Sequence, residues 1–465
     1  MTALPATTQT RRNLSRDSLR MAFDVIPWKV QGRVLDVTGT IIRAHAPDCR
    51  VGSLVTIDVA VGGNRAFGAA AAGRTEAIVA EVVGIQEDKA LLMPYSGIQG
   101  VSAGCAVSVL GSADHLFLDE SLLGRVVDPF LKPLIGDPLK FDEFARKVPI
   151  ERAAPNPMER SRVSRTLSMG VRAIDSTLTF GEGQRIGIMA GSGVGKSVLM
   201  GMMARGSSAD INVIGLIGER GREVREFLER DLGPEGLARS VVVVVTGDQS
   251  PLMRVRAAKV TTAIAEYFSS LGKNVLLMMD SLTRVAMAQR EIGLAGGETP
   301  TTKGYPPSVF AMLPRLLERT GPQKQGCGPI TALYTVLVDG DDFNDPIADA
   351  ARAILDGHIN LSRSLAARGH FPAIDITTST SRVMYDIVSK QHWAMSSRLR
   401  TLLGSYQENF DLVQIGAYQQ GANPVLDEAL RKMPAIDRFL RQEINDLTPI
   451  AQTLELLPQL TGNPS

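Results

Sequence analysis

The chain has 465 residues, long enough for two or three domains and a substantial core. Lys and Arg total 50 against 49 Asp and Glu, a formal net charge of +1, so no general attraction to polyanions follows and bulk nucleic-acid binding is disfavoured. Three widely spaced cysteines, Cys49, Cys105 and Cys327, form no C-x-x-C pair and argue against a disulfide framework or a zinc site. No run approaches 18 consecutive apolar residues, and the first residues lack the apolar stretch of a signal peptide, so a cytoplasmic protein is expected.

Residues 1–25 carry Arg11, Arg12, Arg16 and Arg20 among small polar residues. Such a stretch reads as a solvated tail, or as a short basic helix that docks on a partner or on anionic lipid. From about Val34 to Leu110 short alternating apolar runs, such as "GSLVTIDVAVGG" and "AIVAEVVGIQ", are broken by Gly, Pro and Asp at roughly ten-residue spacing, the pattern of a small β-barrel. Two connecting segments follow, the first rich in Gly, Pro and Asp, the second with three prolines and a cluster of basic residues. Beyond Thr166 the text alternates strand and helix. "GQRIGIMA", "INVIGLIG", "VVVVVTG", "NVLLMMD" and "ALYTVLV" are continuous apolar runs, which predict strands buried on both faces in a mostly parallel sheet. In the last seventy-odd residues Leu426, Leu430, Met433, Ile436, Leu440, Ile444 and Leu447 recur at helical spacing, predicting helices with a break near Pro434.

Between the strand "GQRIGIM" and the helix "SVLMGMMAR" lies "AGSGVGKS": Ala190, Gly191, Ser192, Gly193, Val194, Gly195, Lys196 and Ser197, followed by Val198. Glycines there let successive N–H groups converge on one point at a helix N-terminus, which attracts phosphate. Lys196 brings an ammonium group to the β- and γ-phosphates, and the Ser197 hydroxyl is a hard oxygen ligand for Mg²⁺. The stretch fits G-x-x-x-x-G-K-[ST] except for Ala190 in the first position. Background frequencies give roughly 0.04 chance matches in a chain of this length, so a nucleotide site is expected.

Hydrolysis needs a second magnesium contact, a water activator and positive charge for the transition state. Asp280 ends "NVLLMMD", where a strand-end carboxylate would hold Mg²⁺ beside the loop, although Asp is also a common turn residue. Glu219, just beyond "NVIGLIG", is the candidate for polarising the attacking water. The competing reading is a surface charge, because "ERGREVREFLER" is full of i, i+4 pairs. Arg382 in "STSRVM" is a candidate cation whose spacing does not tell whether it serves its own site or a neighbour's.

"PAIDITTSTS", Pro372–Ser381, resembles the signature of the rotary ATP synthase α and β subunits. Together with "AGSGVGKS", "GERGREVREF" and "GYPPSVFAMLPRLLER" it is similar to the ATPases of type III protein export. "DGDDFNDPIADAARAILDGHINLSR", Asp339–Arg363, is more similar to the flagellar branch than to the virulence injectisome. The resemblance implies a β-barrel domain over 26–110, a RecA-like P-loop α/β core over 111–385, a helical domain over 386–465, and six copies in a ring. It also implies ATP and Mg²⁺ as the bound species. Lys196, Ser197, Asp280 and Glu219 match the phosphate, magnesium and water-activating positions. Arg220 and Arg284 match phosphate-side arginines, and Arg382 matches an arginine finger given to the neighbouring subunit. Phe371 falls where an aromatic ring stacks on adenine. The partners it implies are a stator-like regulatory protein at the N-terminal segment, an export gate, chaperone and substrate complexes, and the inner face of the cytoplasmic membrane.

Three other classes fit less well. A ring-shaped nucleic-acid translocase needs a positive barrel with stacking rings, yet Val34–Leu110 holds five basic and seven acidic residues and only Phe67 and Tyr95 as aromatics. A non-catalytic ring subunit lacks the water-activating carboxylate that Glu219 supplies. Guanine specificity lacks its N-K-x-D motif.

Overall fold

The computed structural model describes residues 31–61, 74–112, 114–338 and 345–462. The basic segment 1–25 and most of the "DGDDFND" stretch lie outside them. The described chain divides into two compact units, the first comprising the residues up to Leu92 with Gln99–Gly111, the second Met93–Ile98 with the residues from Ser112 onward.

The first unit is a closed barrel. Its strands are β1 (Gly32–Thr38), β2 (Ile41–His45), β3 (Ser53–Val61), β4 (Arg74–Gln86), β5 (Lys89–Pro94) and β6 (Ala106–Ser112), in the order β1-β2-β5-β4-β3-β6. The alternation read in the sequence has a direct cause. Val55, Ile57 and Val59 point inward while Leu54, Thr56 and Asp58 are more exposed, and the antiparallel register sets Val55 opposite Ala80 and Ile57 opposite Ile78, both buried.

The second unit is built on an eight-stranded sheet among the described residues. Its strands are β7 (Val126–Val127), β8 (Arg185–Ala190), β9 (Ile211–Glu219), β10 (Ser240–Thr246), β11 (Val275–Asp280), β12 (Ile330–Leu337), β13 (Gly357–Leu361) and β14 (Ile374–Ser381). They run β14-β13-β8-β12-β11-β9-β10-β7, every neighbouring pair parallel except β13 with β14. The five apolar runs are the five central strands, and Val241–Val243, Val275–Met279 and Ile330–Tyr334 are almost wholly buried. Helices α1 (Arg172–Thr177), α2 (Lys196–Gly206), α3 (Pro251–Ser270) and α4 (Leu282–Ala295) accompany the sheet. Ser250 caps α3, accepting from the Met253 N–H at 3.4 Å, with Pro251 in the first helical position.

The C-terminal part is helical as expected: α5 (Lys390–Glu408), α6 (Pro424–Leu440) and α7 (Ile450–Thr461). Two details differ. The helix does not break at Pro434, because Leu426, Ala429, Ile436, Phe439 and Leu440 bury one face of α6 while Pro434 is exposed on another. That burial outweighs one missing helix hydrogen bond. Second, Ile444 and Leu447 continue the helical spacing but lie outside a helix. The stretch 441–449 is an irregular connection in which Ile444 is exposed.

Candidate functional site

The sheet places the predicted residues by its topology. In the order β8, β12, β11, β9, four adjacent strands each deliver a functional residue toward their carboxyl ends, where ligands collect in open α/β sheets. Ala190 ends β8 in register with Leu337, only 1% exposed, and its φ is not positive. A strand residue therefore serves where the motif usually has glycine.

The loop that follows needs two of its glycines for their backbone angles. Gly193 and Gly195 have φ of 76° and 82°, a left-handed backbone that side chains rarely adopt. Gly191 leaves room for the Arg363 guanidinium, since a Cβ there would lie 2.7 Å and 2.8 Å from its Nη2 and Nε and would push that flexible side chain aside. Ser192 is exposed and Val194 buried. Gly195 precedes the first turn of α2, which carries Lys196, Ser197 and Val198 and whose first N–H groups lack intrahelical partners.

Lys196 Nζ stands 2.5 Å from Asp280 Oδ1 and 3.3 Å from Glu219 Oε1, and all three side chains are less than 15% exposed. Thr335 Oγ1 on β12 donates to the same Asp280 Oδ1 at 2.6 Å. Burial works against the Lys196 charge, but the carboxylates of Asp280 and Glu219 push its pKa up. Burial, reinforced by the Asp280 charge and opposed by Lys196, pushes Glu219 up to about 7. The competing surface reading of this stretch applies to its neighbours: Arg222–Glu226 at 3.1 Å and Arg225–Glu229 at 2.8 Å are exposed i, i+4 pairs. Glu219 escapes that fate because Gly218, with φ 81°, makes a bulge between Ile217 and Glu219 at the end of β9.

The candidate arginines separate. The stem of Arg284 packs on Gly218, beside Glu219, and its buried Nε has no hydrogen-bond partner. Arg220 is 84% exposed and pairs with Glu223 at 3.5 Å rather than joining the cluster. Arg382 follows Ser381, which pairs with Gly357 at the amino end of β13, and its Nη2 donates to the Arg352 carbonyl at 3.1 Å. Because β14 runs antiparallel, Phe371 precedes the strand at the carboxyl end of the sheet and Arg382 follows it at the other; β14 bulges opposite His358–Asn360, so its two ends are separated by the length of β13, about 13 Å. Phe371 meets the loop directly: its ring carbons lie 3.4 Å from where a Cβ on Gly195 would stand. It lines a cavity of about 1420 Å³ with Gly193, Gly195 and Val198 on one side and Arg438, Gln442 and Ile444 on the other. This cavity lies beside the phosphate loop, and Lys196, Asp280 and Glu219 do not line it.

Sequence reasoning did not single out Thr335 or Arg363. A hydroxyl inside an otherwise apolar strand reads as core, and an arginine after a strand reads as surface.

A phosphate-binding loop whose lysine meets two strand-end carboxylates on a parallel sheet defines a nucleoside-triphosphate-hydrolysing class. Residues 170–381 match the ATP synthase alpha/beta family, nucleotide-binding domain; residues 29–111 match its beta-barrel domain; residues 388–459 match the T3SS EscN ATPase C-terminal domain. The chain is 51% identical to the flagellum-specific ATP synthase of Bacillus subtilis (strain 168), covering 94% of this chain and 96% of that one. It is 49% identical to the type 3 secretion system ATPase of Xanthomonas euvesicatoria, covering 93% and 94%. Its structure is similar to the assembled ATPase EscN of enteropathogenic E. coli, alone and in complex with its central stalk EscO, with TM-scores of 0.83 and 0.82, 42% identity, 93% of this chain and 100% of that chain covered. The chain belongs to the family of flagellum-specific ATP synthases and type 3 secretion system ATPases, and it is an ATPase. Among its described residues no helix is long and apolar enough to cross a membrane.

Proposed function

We propose that the chain is the Mg²⁺-dependent ATPase of a flagellar type III export apparatus, working as a homohexameric ring in which each site is completed by the next copy. The observation that carries the shared site is the position of Arg382. It follows β14 at the end away from Phe371 and the phosphate loop, with its Nη2 on the Arg352 carbonyl, a position that supports service to a neighbour's site rather than to the Lys196 of its own chain. The relative solved as an assembled ATPase supports assembly of this chain as well.

Lys196 is held by Asp280 and Glu219 until the β- and γ-phosphates of ATP replace them as its partners. That exchange releases Glu219, whose raised proton affinity suits it to polarise water for attack on the γ-phosphate. Thr335 holds Asp280 in place throughout. The Phe371 ring receives the adenine. Arg284, whose stem packs on Gly218 and whose buried Nε has no hydrogen-bond partner, is the candidate to meet the developing phosphate charge. The residues fit a magnesium ion that arrives with the nucleotide: Ser197 and Asp280 are hard oxygen donors, and no group of three or more His, Cys, Asp or Glu among the described residues would hold a cation without phosphate. Bound there, Mg²⁺ would neutralise charge on the β- and γ-phosphates.

The chain's remaining contacts follow its resemblance: a stator-like regulator at the N-terminal segment, chaperone and substrate complexes at the C-terminal helices, an export gate, and peripheral attachment at the cytoplasmic face of the membrane. The test is complementation. Arg382→Ala and Glu219→Gln proteins are each inactive alone, and mixing them restores turnover at interfaces that combine an intact Glu219 with an intact Arg382. Specific activity of the unmodified chain rises steeply with its concentration, because an arginine finger is worth about 10³ to 10⁵ in rate. A flat specific activity, with no recovery on mixing, overturns the shared site.

A further inference from the structure

The connection between α6 and α7 has no regular structure, yet it forms one wall of the cavity beside Phe371, through Gln442, Ile444 and Asn445. Its hydrogen bonds converge on two buried side chains. Arg172, at the start of α1 and 13% exposed, donates from Nε to the Phe439 carbonyl at 2.8 Å and from Nη2 to the Arg441 carbonyl at 2.6 Å. Its Nη1 donates to Asp446 Oδ2 at 2.6 Å and to Thr448 Oγ1 at 3.0 Å. The Arg172 backbone N–H donates to Gln442 Oε1 at 2.8 Å. Gln442, 6% exposed, returns bonds from Nε2 to the Gly170 carbonyl at 2.8 Å and to the Asp446 carbonyl. Its own backbone N–H donates to the Phe371 carbonyl at 2.9 Å.

We propose that Arg172 and Gln442 are positioning residues for the purine base. They suspend the 441–448 connection from α1 and tie it to the backbone of Phe371, fixing both the stacking ring and the wall opposite it at one separation. Neither residue touches the phosphate loop, so they govern affinity for the base and leave phosphate capture alone. A planar guanidinium suits this task because its fixed fork satisfies two carbonyls, a carboxylate and a hydroxyl at once, which a lysine ammonium cannot copy. This inference rests on the adenine stacking on Phe371, and its test separates the two.

The experiment is titration calorimetry of the full chain with ADP and with tripolyphosphate, which carries phosphate but no base, in the presence of magnesium. The variants are Gln442→Ala, Arg172→Ala, Arg172→Lys and Phe371→Ala, with steady-state kinetics beside them. Loss of buried hydrogen bonds lowers ADP affinity about tenfold in Gln442→Ala and in both Arg172 variants, while tripolyphosphate affinity changes less than about twofold. KM for ATP rises in parallel and kcat stays within about twofold. The proposal falls if ADP affinity is unchanged in Gln442→Ala, or if ADP and tripolyphosphate weaken together, the mark of a merely structural role. Arg172→Lys keeps the charge and reads the same effect should Arg172→Ala fold poorly. If Phe371→Ala leaves ADP affinity intact, the placement of the base fails. If Phe371→Ala weakens ADP and Gln442→Ala does not, only the brace fails.

Discussion

Gly218 and Arg284 are in van der Waals contact across the end of the sheet: a methyl added at Gly218 would lie 2.9 Å from Arg284 Cβ and 3.0 Å from its Cγ. The same glycine has φ 81° and makes the bulge that turns Glu219 into the site. Gly218→Ala is therefore strained by conformation and by overlap, and costs about 1–3 kcal/mol of stability. It displaces Glu219 and Arg284 together, so kcat falls more than KM rises. Urea unfolding and steady-state kinetics check both, and an unchanged kcat would separate the bulge from the chemistry.

Glu219 has the raised pKa of a buried carboxyl beside another carboxylate, about 7 against 4.5 for the free side chain. A base acts only when ionised, so kcat/KM climbs about tenfold per pH unit below 7 and levels off above it. Glu219→Gln keeps ADP binding and loses hydrolysis. A pH profile whose acid limb sits in the ordinary carboxylate range would show that another group takes the proton.

Asp175 is wholly buried and accepts from Met169 N–H at 2.9 Å, Gly170 N–H at 3.1 Å and Ser168 Oγ at 3.0 Å, while that Ser168 oxygen accepts from Ile450 N–H at 3.1 Å. Burial pushes its pKa up to about 7 against the pull of those three donors. Asp175→Asn turns an amide NH₂ toward N–H donors and costs about 1–3 kcal/mol in urea unfolding. The sign with pH follows from the raised value: between 3.8 and 7 the folded carboxyl keeps a proton that the unfolded chain has released, so this group's stabilisation is present at low pH and is lost as pH rises through 7. The difference between the two proteins' pH–stability curves isolates it, and parallel curves would remove Asp175 as the source.

Much of this was legible in the chain itself. Continuous apolar runs gave the five central strands, because a parallel strand covered on both faces has no polar side to interrupt it. Lys196, Glu219 and Asp280 were legible because a phosphate loop has fixed spacing and its carboxylates end strands. Phe371 was legible by resemblance and not by its own surroundings. The rest depends on partners distant in sequence. Thr335 meets Asp280 across 55 positions, and Arg172 meets Gln442 across 270, which no local period records. Ile444 shows the reverse failure: it continues a helical spacing by coincidence, where Arg172 and Gln442 hold the chain in an irregular path.

Lys196 has a second task in the absence of nucleotide, since its ammonium pairs with the buried carboxylates of both Asp280 and Glu219. Removing one partner of a buried ionic cluster leaves uncompensated charge and costs about 3–5 kcal/mol. Lys196→Met therefore loses nucleotide binding and is also less stable than the unmodified chain at neutral pH. The two carboxylates then lose the ammonium between them, and Glu219, already raised, holds its proton to still higher pH. Over that interval the folded state carries a proton that the unfolded chain lacks, so the unfolding free energy falls as pH rises and recovers on acidification toward 5. Thermal unfolding of Lys196→Met and of Lys196→Met with Glu219→Gln distinguishes this from lost packing. The double variant regains most of the stability at pH 8 because only one charge remains buried, and equal melting temperatures for the two proteins would show that packing of the lysine stem, not charge, was lost.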